Sequence, residues 1–479
     1  MLEQCPVLGW AASGGMALTG APDGPPVASP AGSFGLLGQV LDRFAQMTGV
    51  HADPSELLAG RAALMGLRRR GRVSAGGSSR LLPTAEGWCA ITLSRRDDVA
   101  VVPAILGSLG LDISDMFGSG GGLGAGSRAS SPRASREAEA WRALEASACG
   151  TAAGALAEAA QLLGVPAAAL PESPGPRRDA GLDGAGHADA WPPWRRTPIA
   201  APDPTTRLAG AVVVDLSSMW AGPVCAKLLG LAGARIIKVE SPGRPDGARA
   251  GDRDFFDWLH AGHQSIAVDF RTERDTLATL LRSADVVIEA SRPRALANLG
   301  LSPETTPHKK GQVWLSITGY GRAEPDRVAF GDDAAVAGGL VGWPGGAGRP
   351  GSAIRGAGWP GSAIRGAAGG GNGPVFCADA IADPLTGVCG ALAVARSLAE
   401  GGGHLIDLSM RAVAAAFATA PGPDHGPHDV RPDGTVTCPA LRRTQEILPP
   451  RRPAMPGAAA AELGADTDSV LSWLASAAC

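Results

Sequence analysis

A 479-residue chain with a net charge of −3 and a pI of about 6.3 offers no electrostatic case for binding nucleic acid. Its hydrophobic content of 45% supports a sizeable core spread over roughly two to four domains. No apolar run is long enough to cross a membrane: Val99–Leu111 comes nearest and is too short. The 68 glycines and 39 prolines predict long loops. Eight cysteines with no CxxC pair argue against a disulfide framework or a metal site, so metal ligands are expected to be none. Reduced thiols, Glu3 and no basic stretch ahead of an apolar run fit a cytoplasmic protein without a secretory signal.

In chain order, residues 1–30 predict a short helix and then a Gly/Pro loop. Leu37, Val40, Leu41 and Phe44 share one helical face, and Leu57, Leu58, Ala62, Leu64 and Leu67 form the next. Arg68-Arg69-Arg70 is read as a solvated helix end. Glu86-Gly87 is a turn signal, and Trp88–Leu93 alternates as a strand. A flexible stretch at 114–136 precedes an Ala-rich helical region, 137–164. Residues 166–206, rich in Pro, Gly, Asp and Arg, read as a linker.

From Ala211 the character changes. AVVVDLSS is an apolar β-branched run suited to a buried parallel strand. After Ala221-Gly222-Pro223 comes a helical face of Cys225, Leu228, Leu229 and Ala232, then the strand ARIIKVE, 234–240. Ser265–Phe270, ADVVIEA at 284–290 and QVWLSIT at 312–318 are further strands, and Thr272 is a candidate cap for the helix bearing Leu277, Leu280 and Leu281. Strands alternating with helices give a doubly wound, Rossmann-like α/β lobe with a parallel sheet. The absence of GxGxxG disfavours a dinucleotide. His260 and His263 are expected at the surface.

The stretch Phe376–Met410 organises the chain. Asp383-Pro384 opens a helix, Gly387 follows four residues after the acid, Glu400-Gly401-Gly402-Gly403 stops the helix, and Leu405–Met410 is a short strand. The plainer reading of Asp383 is a helix N-cap. The chemical one is a carboxylate nucleophile, its pKa lowered and its charge held by the helix dipole. Ahead of it, residues 341–373 repeat GSAIRGA at 351–357 and 361–367 in a Gly-rich setting, which predicts a loop or a lid.

These motifs resemble the family III CoA-transferases, the formyl-CoA transferase and carnitine CoA-transferase family. D-L-S-x-x-x-A-G-P-x-C, L-x-G-A-R-I-I-K-V-E, S-I-A-V-D, A-D-V-V-I-E and S-I-T-G-Y-G occur in the family's order between Leu208 and Met410, ending at D-x-x-x-G and I-D-L-S-M. The resemblance implies an acyl-CoA:carboxylate CoA-transferase with Asp383 as catalytic nucleophile. Coenzyme A is then a substrate, no cofactor is tightly bound, the partners are acyl-CoA and carboxylic acids, and a homodimer is possible. It also implies CoA contacts at Ala221, Gly222, Ala290, Ser291, Arg292, Ala295, Asn298 and Thr318. Gly369–Gly373 and Gly14-Gly15 are the candidate oxyanion donors.

The chain departs from the family in arrangement. S-G-x-M-A-L-T-G and P-T-A-x-G-W are similar to family segments but stand near the start, so residues 1–165 are expected to supply the smaller α+β domain. The expected order is that domain, the 166–206 linker, a CoA-binding lobe at 207–340, the 341–373 insert, the catalytic segment at 374–420 and an extension at 421–479. Ser241, Asn298 and Thr318 stand where characterised transferases place basic residues. The racemase branch of the superfamily carries G-H-D where this chain has Gly331-Asp332-Asp333, and on sequence an Asp there lacks a base poised near pH 7. The alternatives are an alpha-methylacyl-CoA racemase-like enzyme and a non-catalytic CoA-binding relative.

Overall fold

The computed structural model describes residues 5–111, 132–172, 192–344, 373–420, 428–431 and 433–477. The N-terminal region carries α1 (Pro6–Ala12), α2 (Gly32–Thr48), α3 (Pro54–Leu64), β1 (Ser79–Pro83), β2 (Trp88–Thr92), α4 (Arg96–Ala100), α5 (Val102–Ser108), α6 (Pro132–Ala148), α7 (Ala153–Leu162) and β3 (Ala167–Ala169). The lobe that follows carries β4 (Trp194–Pro198), β5 (Val212–Asp215), α8 (Ala221–Leu231), β6 (Arg235–Glu240), α9 (Arg253–His260), β7 (Gln264–Ala267), α10 (Arg274–Ser283), β8 (Val286–Glu289), α11 (Pro293–Ala297), β9 (Val313–Thr318) and α12 (Gly331–Ala337). Then come α13 (Ala382–Ala399), β10 (His404–Ser409), α14 (Met410–Ala418), β11 (Asp429–Val430), β12 (Thr435–Cys438), β13 (Arg443–Glu446) and α15 (Thr467–Ala477).

The main sheet runs β4-β10-β9-β8-β5-β6-β7, parallel throughout except for β4. Leaving out β4, the strands stand in the doubly wound order 3-2-1-4-5-6, with the switch point between β5 and β8. Period-two alternation splits each strand between two cores. Val213, Ile236 and Val286 face one core with α8 and α13; Val214, Ile237 and Val287 face the other with α10 and α15. Burial on both faces is why these strands read as unbroken apolar runs.

The N-terminal region docks on this lobe in two ways. Helices α1–α3 join the core of α8, α13 and α14, with Leu37, Phe44 and Leu58 buried in it. The sheet β1-β2-β3 and helices α5–α7 enclose a separate core around Ile91, Trp141 and Leu156.

Several expectations change. The 166–206 stretch supplies structure to both sheets: β3 pairs with β2, and β4 pairs antiparallel with β10. The strand WRRTP escapes pattern reading because only Trp194 is buried and the rest is exposed edge. The 137–164 helical region is two helices separated at 149–152. The residue before α10 is Glu273, and Thr272 instead donates its N–H to Asp269. Arg69 does not end a helix; its guanidinium donates to the carbonyls of Ala17, Ala21 and Gly24 and fastens that loop. His260 is buried, 2% exposed, and His263 half-buried, because α9 turns its aromatic face inward. The 345–372 part of the expected insert, most of the 114–136 stretch and residues 173–191 of the linker lie outside the described residues.

Candidate active site

The site forms where two helix starts meet. Asp383 lies inside the first turn of α13, after Ala382, while Ile381 occupies the cap position. It is therefore not an N-cap. Its carboxylate accepts the N–H of Gly331, the first residue of α12. Gly331 has to be glycine: a Cβ there would stand 2.3 Å from both the Ala380 carbonyl and Asp383 Oδ2. Gly387, one turn along α13, is equally constrained, since a Cβ would sit 2.5 Å from the Ala221 carbonyl and 2.6 Å from Val224. The D-x-x-x-G spacing thus lets α13 cross α8 beside that helix's first residue and sets Asp383 one turn away.

The turn before α13 is strained. Ala378 and Ala380 both take left-handed backbone angles, φ 53° and 39°. Long-range bonds hold it: Thr19 Oγ accepts from the Ala378 N–H, the Gly71 carbonyl accepts from the Phe376 N–H, and Asp332 Oδ1 accepts from the Ala380 N–H. Arg61 of α3 donates to both oxygens of buried Asp379 at 2.8 Å. The same guanidinium lies 5.2 Å from the ring of Trp220 and 5.5 Å from that of Phe255.

Three acids, Asp332, Asp379 and Asp383, act on this one cation, and Asp333 adjoins Asp332. Asp332 accepts from Ser79 Oγ, and Asp333 accepts from Thr92 Oγ and the Phe330 N–H. Asp383 is half-buried. Burial first, and then the like charges of Asp332 and Asp379, push its carboxyl up to about 7, against Arg61 and the Gly331 N–H, which lower it. Burial likewise raises Asp332 to about 6, with Asp379 adding to the rise, and Asp333 to about 8. The sequence expectation of a lowered Asp383 pKa is overturned, because desolvation and neighbouring carboxylates outweigh the helix dipole. The reason given against a base at Asp332 also falls, since burial brings it toward neutrality.

Other expected site residues follow the sheet. Ala221 and Gly222 open α8 after β5, and Ala290, Ser291 and Arg292 follow β8, so the two groups flank the switch point. Thr318 ends β9 and its hydroxyl accepts the Gly321 N–H. Ala295 lies in α11, and Asn298 caps its C-terminus; both are exposed. Gly222 is required by packing, with a Cβ there 2.1 Å from Ser217. Burial lowers the Arg292 pKa, and the charges of Arg294, Arg95 and Arg244 lower it further. Arg95 pairs with Asp98 and Arg294 with Asp326, while Arg244 and Arg292 make no ion pair among the described residues. Of the candidate oxyanion donors, Gly15 already gives its N–H to Ser13 Oγ and Gly14 packs on Pro450. Gly373 packs on Trp88, and 369–372 lie outside the described residues. A separate cleft of about 700 Å³ lies against β4, lined by Arg195, His308, Arg322 and Asp407, and includes none of the expected CoA residues.

Residues 208–436 match the model of CoA-transferase family III. That region is similar to CoA-transferase family III. Among similar curated proteins are succinyl-CoA–D-citramalate CoA-transferase of Chloroflexus aurantiacus, 32% identical over 27% of this chain and 35% of its own length, and succinyl-CoA:glutarate CoA-transferase of Mus musculus, 32% identical over 29% and 35%. A crystal structure of a CAIB/BAIF family protein from Brucella suis is 25% identical over 46% of this chain and 59% of its own, with a TM-score of 0.34. The chain spans about a third of the length of the curated relatives it matches. Within the family III region the sequence singled out Asp383 but missed Asp379, visible only as a second acid four residues earlier. It also missed Arg61, a lone cation in G-R-A-A-L with no local signal.

Proposed function

We propose that this protein is an acyl-CoA:carboxylate CoA-transferase in which Asp383 is the nucleophile. The observation that carries this reading is a half-buried carboxylate, fixed by Gly331 at two helix starts and ionising near neutrality, beside the switch-point crevice. Asp383 attacks the thioester carbonyl, the C–S bond breaks, and a mixed anhydride and CoA thiolate form. The thiolate attacks the aspartyl carbonyl, releasing the donor acid and leaving an aspartyl-CoA thioester. The acceptor carboxylate attacks that thioester, expelling the thiolate, which then takes the acceptor acyl group and frees Asp383. No net proton and no ATP are consumed.

Arg61 offers positive charge to the anionic intermediates, and α12 and α13 direct their N-termini at the same place. Residues 1–165 take the part of the family's smaller domain, since Thr19, Arg61, Gly71, Ser79 and Thr92 all hold the site. Arg244 and Arg292 supply the basic contacts to CoA phosphates that Ser241, Asn298 and Thr318 lack.

The test is mass spectrometry after incubation with a panel of acyl-CoAs and hydroxylamine. A hydroxamate on the Asp383 peptide, absent in Asp383→Ala, is expected and identifies the donor. Binding of CoA with no adduct from any thioester would move the protein to a non-catalytic CoA-binding role.

A second reading, racemase-like proton transfer at the α-carbon, gains from Asp332 and Asp383 both standing near neutral pH. Incorporation of solvent deuterium into a 2-methylacyl-CoA, without any acceptor acid, would favour it.

A further inference from the structure

Away from the carboxylates, the two ends of the chain bring together three soft or borderline ligands. Cys5 caps α1, Cys438 ends β12, and His428 stands just before β11. Cys5 Sγ lies 3.0 Å from His428 Nε2, and the three ligand atoms lie within 4.8 Å of one another. Both thiols are buried, Cys5 1% and Cys438 0% exposed, while His428 is half-exposed.

We propose that Cys5, His428 and Cys438 bind a zinc ion that fastens α1 to the β11–β13 sheet. Two sulfurs and an imidazole form a donor set suited to zinc and unsuited to magnesium or calcium, which take oxygen. Zinc bonds of about 2.3 Å to sulfur and about 2.0 Å to nitrogen set tetrahedral donors roughly 3.5–3.8 Å apart, so closing on the ion needs only small side-chain movements. Binding releases the two thiol protons and leaves a neutral Cys₂His site, its fourth position open to water on the half-exposed His428 side.

The sheet itself needs such a fastening. Its strands are two to four residues long, and Val436 and Cys438 are the buried side chains on them. Both belong to the main core, with Val430, Leu441 and Ile447 packed against it, yet strands this short leave few ladder bonds to hold the sheet in place. Its protein contacts to α1 include the Leu448 N–H donating to the Ala11 carbonyl at 2.9 Å. A metal shared between α1 and β12 adds a direct constraint to that packing.

The test uses the full chain purified without chelator and analysed by elemental mass spectrometry. About one zinc per chain is expected, and His428→Ala, a change at a half-exposed position, should weaken zinc binding at least about tenfold. Cys438→Ser should do the same, with circular dichroism checking that the lobe stays folded. Cobalt substitution should show a thiolate-to-metal charge-transfer band in wild type and lose it in both variants. No zinc bound at micromolar concentration overturns the proposal, as does zinc content unchanged by His428→Ala. An intact mass two hydrogens low, mapping to a Cys5–Cys438 disulfide, overturns it as well.

Discussion

Two buried charge networks in this molecule are built on opposite accounts. Beneath β6, two cations meet two anions: Lys238 Nζ donates to Asp246 Oδ2 at 2.8 Å, and Arg249 holds both oxygens of Glu240. Those two carboxylates each have their own cation, while buried Asp215 beside Lys238 accepts from Ser217. At the α12–α13 junction Asp332, Asp379 and Asp383 share Arg61, and only Asp379 is paired with it. The first arrangement locks a loop in place. The second leaves protons to be exchanged near neutral pH, as a reaction site requires and a structural brace does not.

That contrast can be broken most forcefully at Asp246. Asp246→Asn breaks the buried ion pair with Lys238 and should cost about 3–5 kcal/mol in urea unfolding. If it costs little, the balanced network is no brace. Gly331→Ala drives a methyl into Ala380 and Asp383; roughly 1–3 kcal/mol of stability should go, and the Asp383 hydroxamate yield should fall with it. A stable, fully reactive variant would mean that Gly331 does not position the acid.

The acid-rich cluster should show itself in pH dependence. Asp332, Asp383 and Asp333 sit at about 6, 7 and 8 in the folded chain against 3.8 unfolded, so the folded state binds more protons between those values. Stability should therefore fall as pH rises from about 4 to about 8. Asp333→Asn mimics the neutral acid: its melting temperature should match wild type near pH 4 and exceed it near pH 8. Equal curves would show that Asp333 carries no stored cost. Transferase turnover should meanwhile rise through about pH 7 as Asp383 ionises.

The smallest effect is expected where cations are in excess. Arg292→Ala should raise KM for acyl-CoA about tenfold, ~1.4 kcal/mol, with kcat little changed. An unchanged KM would overturn the proposed role of Arg292 in binding CoA.

What the sequence disclosed follows physical lines. β5, β6, β8 and β9 were legible because strands covered on both faces are continuous apolar runs. Asp383 was legible because Gly387, required by the α8 crossing, falls at a fixed distance from it in the same helix. The sign of its pKa shift was not, since Asp332 and Arg61 are 51 and 322 residues away in sequence and only the fold sets their charges beside it. The meeting of Cys5 with Cys438 is hidden for the same reason. His260 misled because an isolated histidine says nothing of the face it occupies, and α9 buries that face.

The antiparallel strand β4 has a bearing on how this protein behaves in a crowded solution. A parallel sheet ending on β10 would offer a bare edge, His404–Ser409, as a template for any extended chain. The 166–206 stretch covers that edge with its own backbone and makes the new border from Arg195, Arg196 and Pro198. Guanidinium groups and a residue that cannot donate a hydrogen bond make poor hosts for strand addition. Shortening this stretch for convenience of expression would thus expose the sheet to aggregation, even if every residue around Asp383 were left in place.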